Sequence, residues 1–433
     1  MLGCPMPKAA PHSEQTVRSA VPPREDVPGS GPLEVRIGRS GDELLASLSA
    51  ALDAIPNRPS GPQALSARLG IDKVLASRLL KAVRVTDPIS VVHRMPGPEP
   101  LRRVLGALEG IGVSAGLLAD ARAAVDRFDH LIRHELGDRG SLDAIVSAWV
   151  PEARREFELR RKQAAYRAIS QLRGAETGVI LATVLVHPSK TDGRLDIVWI
   201  NGLIGLRRLR PGAIVKLATR NMNRDRGERA PRAMDGHAVG DLSSLLLTDY
   251  CSSPLPQMKI AHAGDVTHYV LDGDAFGPGS GVDIVFAEVN REELNRFAAA
   301  PAPGAGGAVR RAYMFAEVSV PAAVLQFDVL VHKDVFPGGD PALRIHDTSF
   351  EGIADFNNRA RDIDQLDLLE FIEPLGVGPV RFRSTDVPRY ADLLRSAAGT
   401  MGWDLREFRG HRCRIDHPVY GSQVTMGFEM PVG

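Results

Sequence analysis

The chain has 433 residues, 53 of them Lys or Arg and 53 Asp or Glu, with 44% hydrophobic and 24% charged residues. That length and balance predict two or three globular domains with ample core. They exclude a uniformly basic coat for nucleic acid, but not a local basic face.

Three widely spaced cysteines, Cys4, Cys251 and Cys413, make no disulfide framework and fit a reducing cytosol. The longest apolar run, "VILATVLV" at 179–186, is far too short to span a bilayer. No apolar leader is read at the N-terminus, so a cytoplasmic, membrane-free protein is expected. The preponderance of Arg over Lys is read as genomic composition bias.

Residues 1 to about 32 are rich in Pro, Ser and Gly and bury too little apolar surface to order themselves. The disordered tail is drawn to residue 39, and a helical module is expected over 40–150. "GDELLASLSAALDAI" sets Leu44, Leu45, Leu48 and Leu52 on one stripe. "PQALSARLGIDKVLASRLLKAV" (62–83) reads as two short helices around Gly70. "GPEPLRRVLGALEGIG" and "SAGLLADARAAVDRFDHLIRHELG" follow, the second capped by Ser114 and closed by Gly137. "SLDAIVSAWV" is expected to be capped by Ser141. A connector helix is expected over 151–175, with Arg154, Arg155, Arg160, Arg161, Lys162, Arg167 and Arg173 on it. Its Phe157, Ala164, Ala165, Ala168, Ile169 and Leu172 offer a seam for dimerisation, and a solvated connector is the plainer reading.

At about residue 176 the period becomes extended. "TGVILATVLVHPS", "GRLDIVWING", "GAIVKLATRNM", "VTHYVLDG", "GVDIVFAEV", "RRAYMFAEVSV" and "AVLQFDVLVHKDV" read as strands. "REELNRFAAA", "RDIDQLDLLEFIEPLG" and "VPRYADLLRSAAGTMG" read as helices, and "HRCRIDHPVYGSQVTMGFEM" as two last strands. The fold class is therefore α+β: an all-helical N-terminal module, then a mainly antiparallel β-rich domain over 176–433. "VLVH" occurs at 184–187 and 329–332, and "FAEV" at 286–289 and 315–318. An internal duplication and chance recurrence both explain these echoes.

In the 62–83 stretch, Leu65 and Leu69 face inward from the first helix, Gly70 turns, Ile71 closes, and Leu75, Leu79 and Leu80 pack from the second. Lys73, Ser77, Arg78 and Lys81 are left outside, as donors suited to base edges and phosphates. This "LxxxLGIxxxxxSRxL" spacing resembles the helix-turn-helix motif of bacterial repressor-like proteins, over about 20 residues. The position four before the turn glycine, usually Ala in that motif, is Ser66 here. The resemblance implies that Lys73, Ser77, Arg78 and Lys81 face DNA. Eight basic residues against four acidic ones over 60–110 give a local surplus of +4 in a neutral chain. A solvated helix pair in a bundle is the alternative. "RVTDPISVVHRM" is read as a short wing strand.

For chemistry, "HRCRIDHP" puts His411, Cys413, Ile415 and His417 on one strand face, weak zinc candidates whose spacing matches no common module. His187, Asp192, His332, Asp334, His346 and Asp347 stand near strand ends and could make a general base, without a nucleophile motif beside them. Glu288 and Glu317 in the "FAEV" strands could form an acid–base pair, lie on solvated faces, or meet an arginine such as Arg310 or Arg311. "GDAFGPGSG" and "APAPGAGGA" read as flexible turns. Asp362, Asp364, Asp367, Glu370 and Glu373 are expected on an acidic helix, solvated or facing another protomer's basic helix. A DNA-binding regulator is the leading expectation, homo-oligomeric and without a cofactor, its β domain sensing a small-molecule ligand or joining protomers. A self-assembling structural protein and an enzyme using the His/Asp loops are the alternatives.

Overall fold

The computed structural model describes residues 32–432, except 58, 222–231, 240–241, 264–265, 274, 299–309 and 338. It is an α+β chain of two compact units, one ending at Val150 and the other running from Pro151.

The first unit is helical: α1 (Leu33–Asp53), α2 (Pro62–Leu69), α3 (Lys73–Ala82), α4 (Pro88–Arg94), α5 (Pro98–Gly110), α6 (Ala115–His130) and α7 (Arg139–Ser147). Helix α1 begins at Leu33, six residues before the expected end of the tail at residue 39, and residues 1–31 lie outside the described residues. Ile37, Leu44, Leu48 and Leu52 of α1 form its buried stripe. Gly41 lets α4 cross closely, since a Cβ there would lie 2.1 Å from the Pro88 carbonyl oxygen.

The expected wing strand is helix α4. Pro88 opens the helix, the Asp87 side chain accepts from Ser90 N, and Val91 and Val92 are buried. Their adjacency mimics a strand in sequence. At α7 the cap is Asp138, whose carboxylate accepts from Ser141 N, and Ser141 lies inside the first turn. Six residues of π-helix, Leu131–Leu136, continue α6 up to Gly137 at φ 93°.

The second unit begins with α8 (Pro151–Arg173) and continues into β1 (Ala175–Pro188), β2 (Arg194–Arg208), β3 (Lys216–Asn221), β4 (Met258–Ala263), β5 (Val266–Leu271), β6 (Val282–Asn295), β7 (Arg311–Glu317), β8 (Ala322–His332), β9 (Ala342–Asp347), β10 (Glu373–Val377), α9 (Tyr390–Met401), β11 (Phe408–Asp416) and β12 (Ser422–Glu429). A six-stranded sheet runs in the order β10-β11-β8-β1-β2-β6, and β7-β12-β9 and β3-β5-β4 make two smaller sheets. Only β1 and β8 pair in parallel among these strands.

Both faces of the six-stranded sheet are covered, which explains why β1 is apolar without a break. Its Ile180, Ala182, Val184 and Val186 join one core with the two smaller sheets. Its Val179, Leu181 and Leu185 join the other with Leu393, Leu394 and Ala397 of α9. The two "VLVH" runs lie side by side, Val184 opposite Val329 and Val186 opposite Val331. The two "FAEV" runs belong to different sheets, so Glu288 on β6 and Glu317 on β7 are not a cross-strand pair.

Two expected helices are extended instead. Residues 291–295 continue β6, with Leu294 opposite Leu195 and Asn295 opposite Arg194, so ladder bonds override the helical propensity of "REELNRF". At 362–373 only a 3-10 turn, Arg359–Asp364, is helical. The acidic residues beyond it meet the basic helix of the same chain. Arg154 bonds Asp367 at 2.8 Å, Lys162 bonds Glu370, and Leu369 N donates to Glu158 at 2.9 Å. Helix α8 therefore lies on the β unit, with Tyr166 Oη donating to Glu176 at 2.9 Å, and is not a free connector. Strands β4, β9 and β10 were not expected from the sequence.

Candidate nucleic-acid interface

The α2–α3 pair is built by its sequence in small steps. Pro62 opens α2 after an extended Gly61, and Leu65 and Leu69 turn into the core. Gly70 follows at φ 64°, a left-handed conformation that favours glycine. Its N–H donates to Ser66 O, as does that of Ile71 at 3.2 Å. The Ser66 hydroxyl in turn donates to Ile71 O at 2.7 Å. Serine at this position stitches the turn, a role the alanine of the resembled motif lacks.

Asp72 then caps α3, its Oδ1 accepting from Val74 N at 2.7 Å and Leu75 N at 3.2 Å. Ala76, Leu79, Leu80 and Ala82 are the buried face. Ile71 and Leu75 are half-buried. Lys73, Arg78 and Lys81 are exposed and Ser77 is half-buried, so all four expected DNA-facing residues share the outer side of one helix. Val74, which the sequence reading passed over, is 73% exposed beside them.

Several arginines of this unit are neutralised: Arg102 by Asp126 and Asp129, Arg122 by Glu109, Arg127 by Glu43, Arg133 by Asp129 and Arg139 by Asp143. Arg39 of α1 and Arg94 of α4 have no ion-pair partner among the described residues. The hydrogen bonds that Arg102 donates to Asp129 and Asp126 raise its pKa above the ordinary value, and Arg102 holds the Asp129 carboxyl below the usual range. Among the described residues, no carboxylate lies within 4 Å of Lys73, Arg78 or Lys81, nor of neighbouring Arg68, Arg84 and Arg103. Arg78 is aimed: its Nε donates to Arg94 O at the end of α4, 3.2 Å away, leaving both terminal nitrogens free of that bond. Part of the ordering entropy of a guanidinium contact is thus met in advance. The Asp72 carboxylate already occupies the start of α3, so anion binding here must come from side chains.

In the β unit the parallel register brings His187 and His332 together, ring centroids 4.7 Å apart. His187 stacks on Trp403 at 4.7 Å and donates from Nδ1 to Pro188 O at 2.7 Å. Burial lowers its pKa, and its Nε2 holds the lone pair. His332 accepts Asp334 N–H at Nδ1 and donates from Nε2 to Glu407 at 3.2 Å. Lys333 and His332 hold the Glu407 carboxyl below its usual range. This cluster supplies a base, but no hydroxyl or thiol is hydrogen-bonded to it among the described residues. Asp192 caps its own turn at Gly193 N, and Asp347 binds Ser349 N. His346 belongs to another sheet, opposite Gln423.

The zinc candidates do not converge. Among the described residues no group of three or more His, Cys, Asp or Glu could hold a metal. Cys413 and Ile415 lie in the core, while His417 sits on a turn at φ 50° with its ring 5.0 Å from that of Tyr166. His411 is buried against Phe428 with neither ring nitrogen hydrogen-bonded. Burial lowers its pKa from 6.5 to about 4. The unfolded ring takes up a proton near 6.5 and the folded ring only near 4, so this penalty is absent above pH 6.5 and grows as pH falls towards 4. His411→Phe is expected to remove about 2 kcal/mol of the stability lost between pH 7 and pH 5. Denaturant titrations at both pH values check this, and parallel pH dependences in the two proteins would contradict it.

The sequence reading missed a buried polar network on the α9 side of the sheet. Asp328 Oδ1 accepts from Arg412 Nε at 2.8 Å, and Oδ2 from Arg412 Nη2 at 2.7 Å and Tyr390 Oη at 2.5 Å. Gln326 Nε2 reaches Oδ2 at 3.2 Å, and Thr183 lies 2.9 Å from Tyr390 Oη. Its sequence signal is a charge at an inward position, Asp328 within "LQFDVLVH". Among the described residues no helix is long and apolar enough to cross a membrane. No protein-family model matches the chain, and no curated protein is detectably similar to it in sequence.

Proposed function

We propose that this chain is a sequence-specific DNA-binding regulator whose α3 lies in the major groove. The observation that carries the reading is the outer face of α3, where Lys73, Arg78 and Lys81 are exposed together on one side of a helix without an acidic partner, while Arg102, Arg122, Arg127 and Arg133 of the same unit are ion-paired. Phosphates would supply most of the affinity, and Arg78 with Ser77 the discrimination. The β unit would sense a small molecule or join protomers, since two half-sites need two recognition helices.

Arg78→Ala is expected to weaken a selected site by about ten- to a hundredfold and to relax the preference at one base position. Competition between the site and its single-base variants measures this. Unchanged discrimination in a folded variant would remove α3 from the interface. Assembly through strand edges has less support. Edge strand β10 carries Pro374 and a register shift before Gly376, features that blunt pairing. An enzymatic reading rests on the His187–His332 pair alone, which has a base without an attached nucleophile.

A further inference from the structure

We propose that Val74 reads the 5-methyl group of thymine, and that this contact rather than a charge fixes one position of the binding site. The inference rests on the reading that α3 enters the major groove. Val74, Ser77, Arg78 and Lys81 follow one another at steps of three, one and three residues, so they form a single stripe along the outer side of α3. The stripe presents an apolar group, a hydroxyl, a guanidinium and an ammonium in that order. Val74 is 73% exposed. A β-branched residue is a poor choice for an exposed helical position on propensity alone, because its side chain is restricted against the preceding turn.

That restriction is useful in recognition. Val74 N–H is held by Asp72 Oδ1 at 2.7 Å, which fixes the backbone of the first turn, and β-branching limits the rotamers its two methyl groups can take. They stand at the N-terminal end of the helix, the end that contacts base edges in helix-turn-helix complexes. Thymine is the one unmodified base whose major-groove edge carries an apolar group. The cations farther along the stripe would hold the phosphates and a guanine, and bring Val74 to that methyl.

The test is a double-mutant cycle between protein and DNA. The full chain and Val74→Ala are titrated with the duplex selected by the wild-type protein, and with duplexes in which each thymine is replaced in turn by deoxyuridine, which lacks only the methyl. The wild-type protein is expected to lose about four- to tenfold at one thymine. Val74→Ala is expected to lose a similar amount on the thymine duplex and to be indifferent to uracil at that position. Its thermal midpoint should match wild type, since the side chain is exposed. Indifference of the wild-type protein to every uracil, or full thymine preference in Val74→Ala, overturns the assignment of Val74 while leaving DNA binding intact. Failure to select any duplex overturns both.

Discussion

Changing Lys73, Arg78 and Lys81 together to alanine is expected to weaken DNA binding by at least about a hundredfold at moderate salt. Each phosphate neutralised by a protein cation releases counterions, so the slope of log affinity against log salt should fall by about two to three. The three side chains are exposed, and two of them hold nothing else in place. Arg78 also satisfies Arg94 O at the end of α4, a bond whose loss costs about 1 kcal/mol of stability. The variant should therefore stay folded while losing its ligand. The informative control changes Arg122, Arg127 and Arg133, which are bound to Glu109, Glu43 and Asp129. It removes the same charge from the same unit, but from cations whose fields are already met, and its salt slope should stay near that of wild type. Equal effects of the two triple variants would mean that net charge, not the face of α3, attracts the nucleic acid.

The largest effect on stability is expected at Asp328 and Arg412. The carboxylate is 1% exposed, and the guanidinium binds it through two nitrogens while donating from the third to Arg383 O at 2.7 Å. Removing either partner leaves a charge buried without its counterion, which costs about 3–5 kcal/mol. Asp328→Leu and Arg412→Met are each expected to lower the unfolding free energy by that amount. The double variant should recover much of the loss, because a well-packed apolar pair is often no worse than a buried ion pair. Tyr390 Oη would keep Thr183 as a partner in the double variant. Denaturant titrations of the four proteins measure the coupling. Additive losses, or single variants within about 1 kcal/mol of wild type, would show that water or rearrangement reaches the site.

The contrast between these two sites explains what the sequence made legible. Periodicity found α3 and its buried Leu79 and Leu80, because one face of a short helix is written in consecutive residues. Gly70 marked the turn for the same local reason. The continuous apolar run of β1 signalled a strand covered on both faces. Asp328 and Arg412 are 84 positions apart, and nothing local names either as the other's partner. Residues 291–295 read as helix because their ladder partners on β2 are about a hundred positions away. The acidic stretch after 362 was similarly misread: its charges suit a helix surface, but Arg154 and Lys162 hold it extended from the far end of the unit.

Within the candidate site, the residues with charges were legible and the one without was not. Lys73, Arg78 and Lys81 stood out as donors, while Val74 looked like one more core residue until its exposure was seen. Ser66 looked like a mild departure from the resembled motif, and its hydroxyl closes the turn. The "VLVH" echo placed His187 and His332 together only once β1 and β8 were seen to pair in parallel. A recurrence in sequence carries no register.

Selection of genomic DNA fragments by the purified full-length protein at moderate salt tests the central claim most directly. If α3 reads DNA, a discrete site, with two half-sites if the protein binds as a dimer, is enriched by the wild-type protein and not by the Lys73/Arg78/Lys81→Ala variant. Recovery of unselected sequence by both proteins would contradict the claim, and the unpaired cations of α3 would then be no more than a solvated helix face.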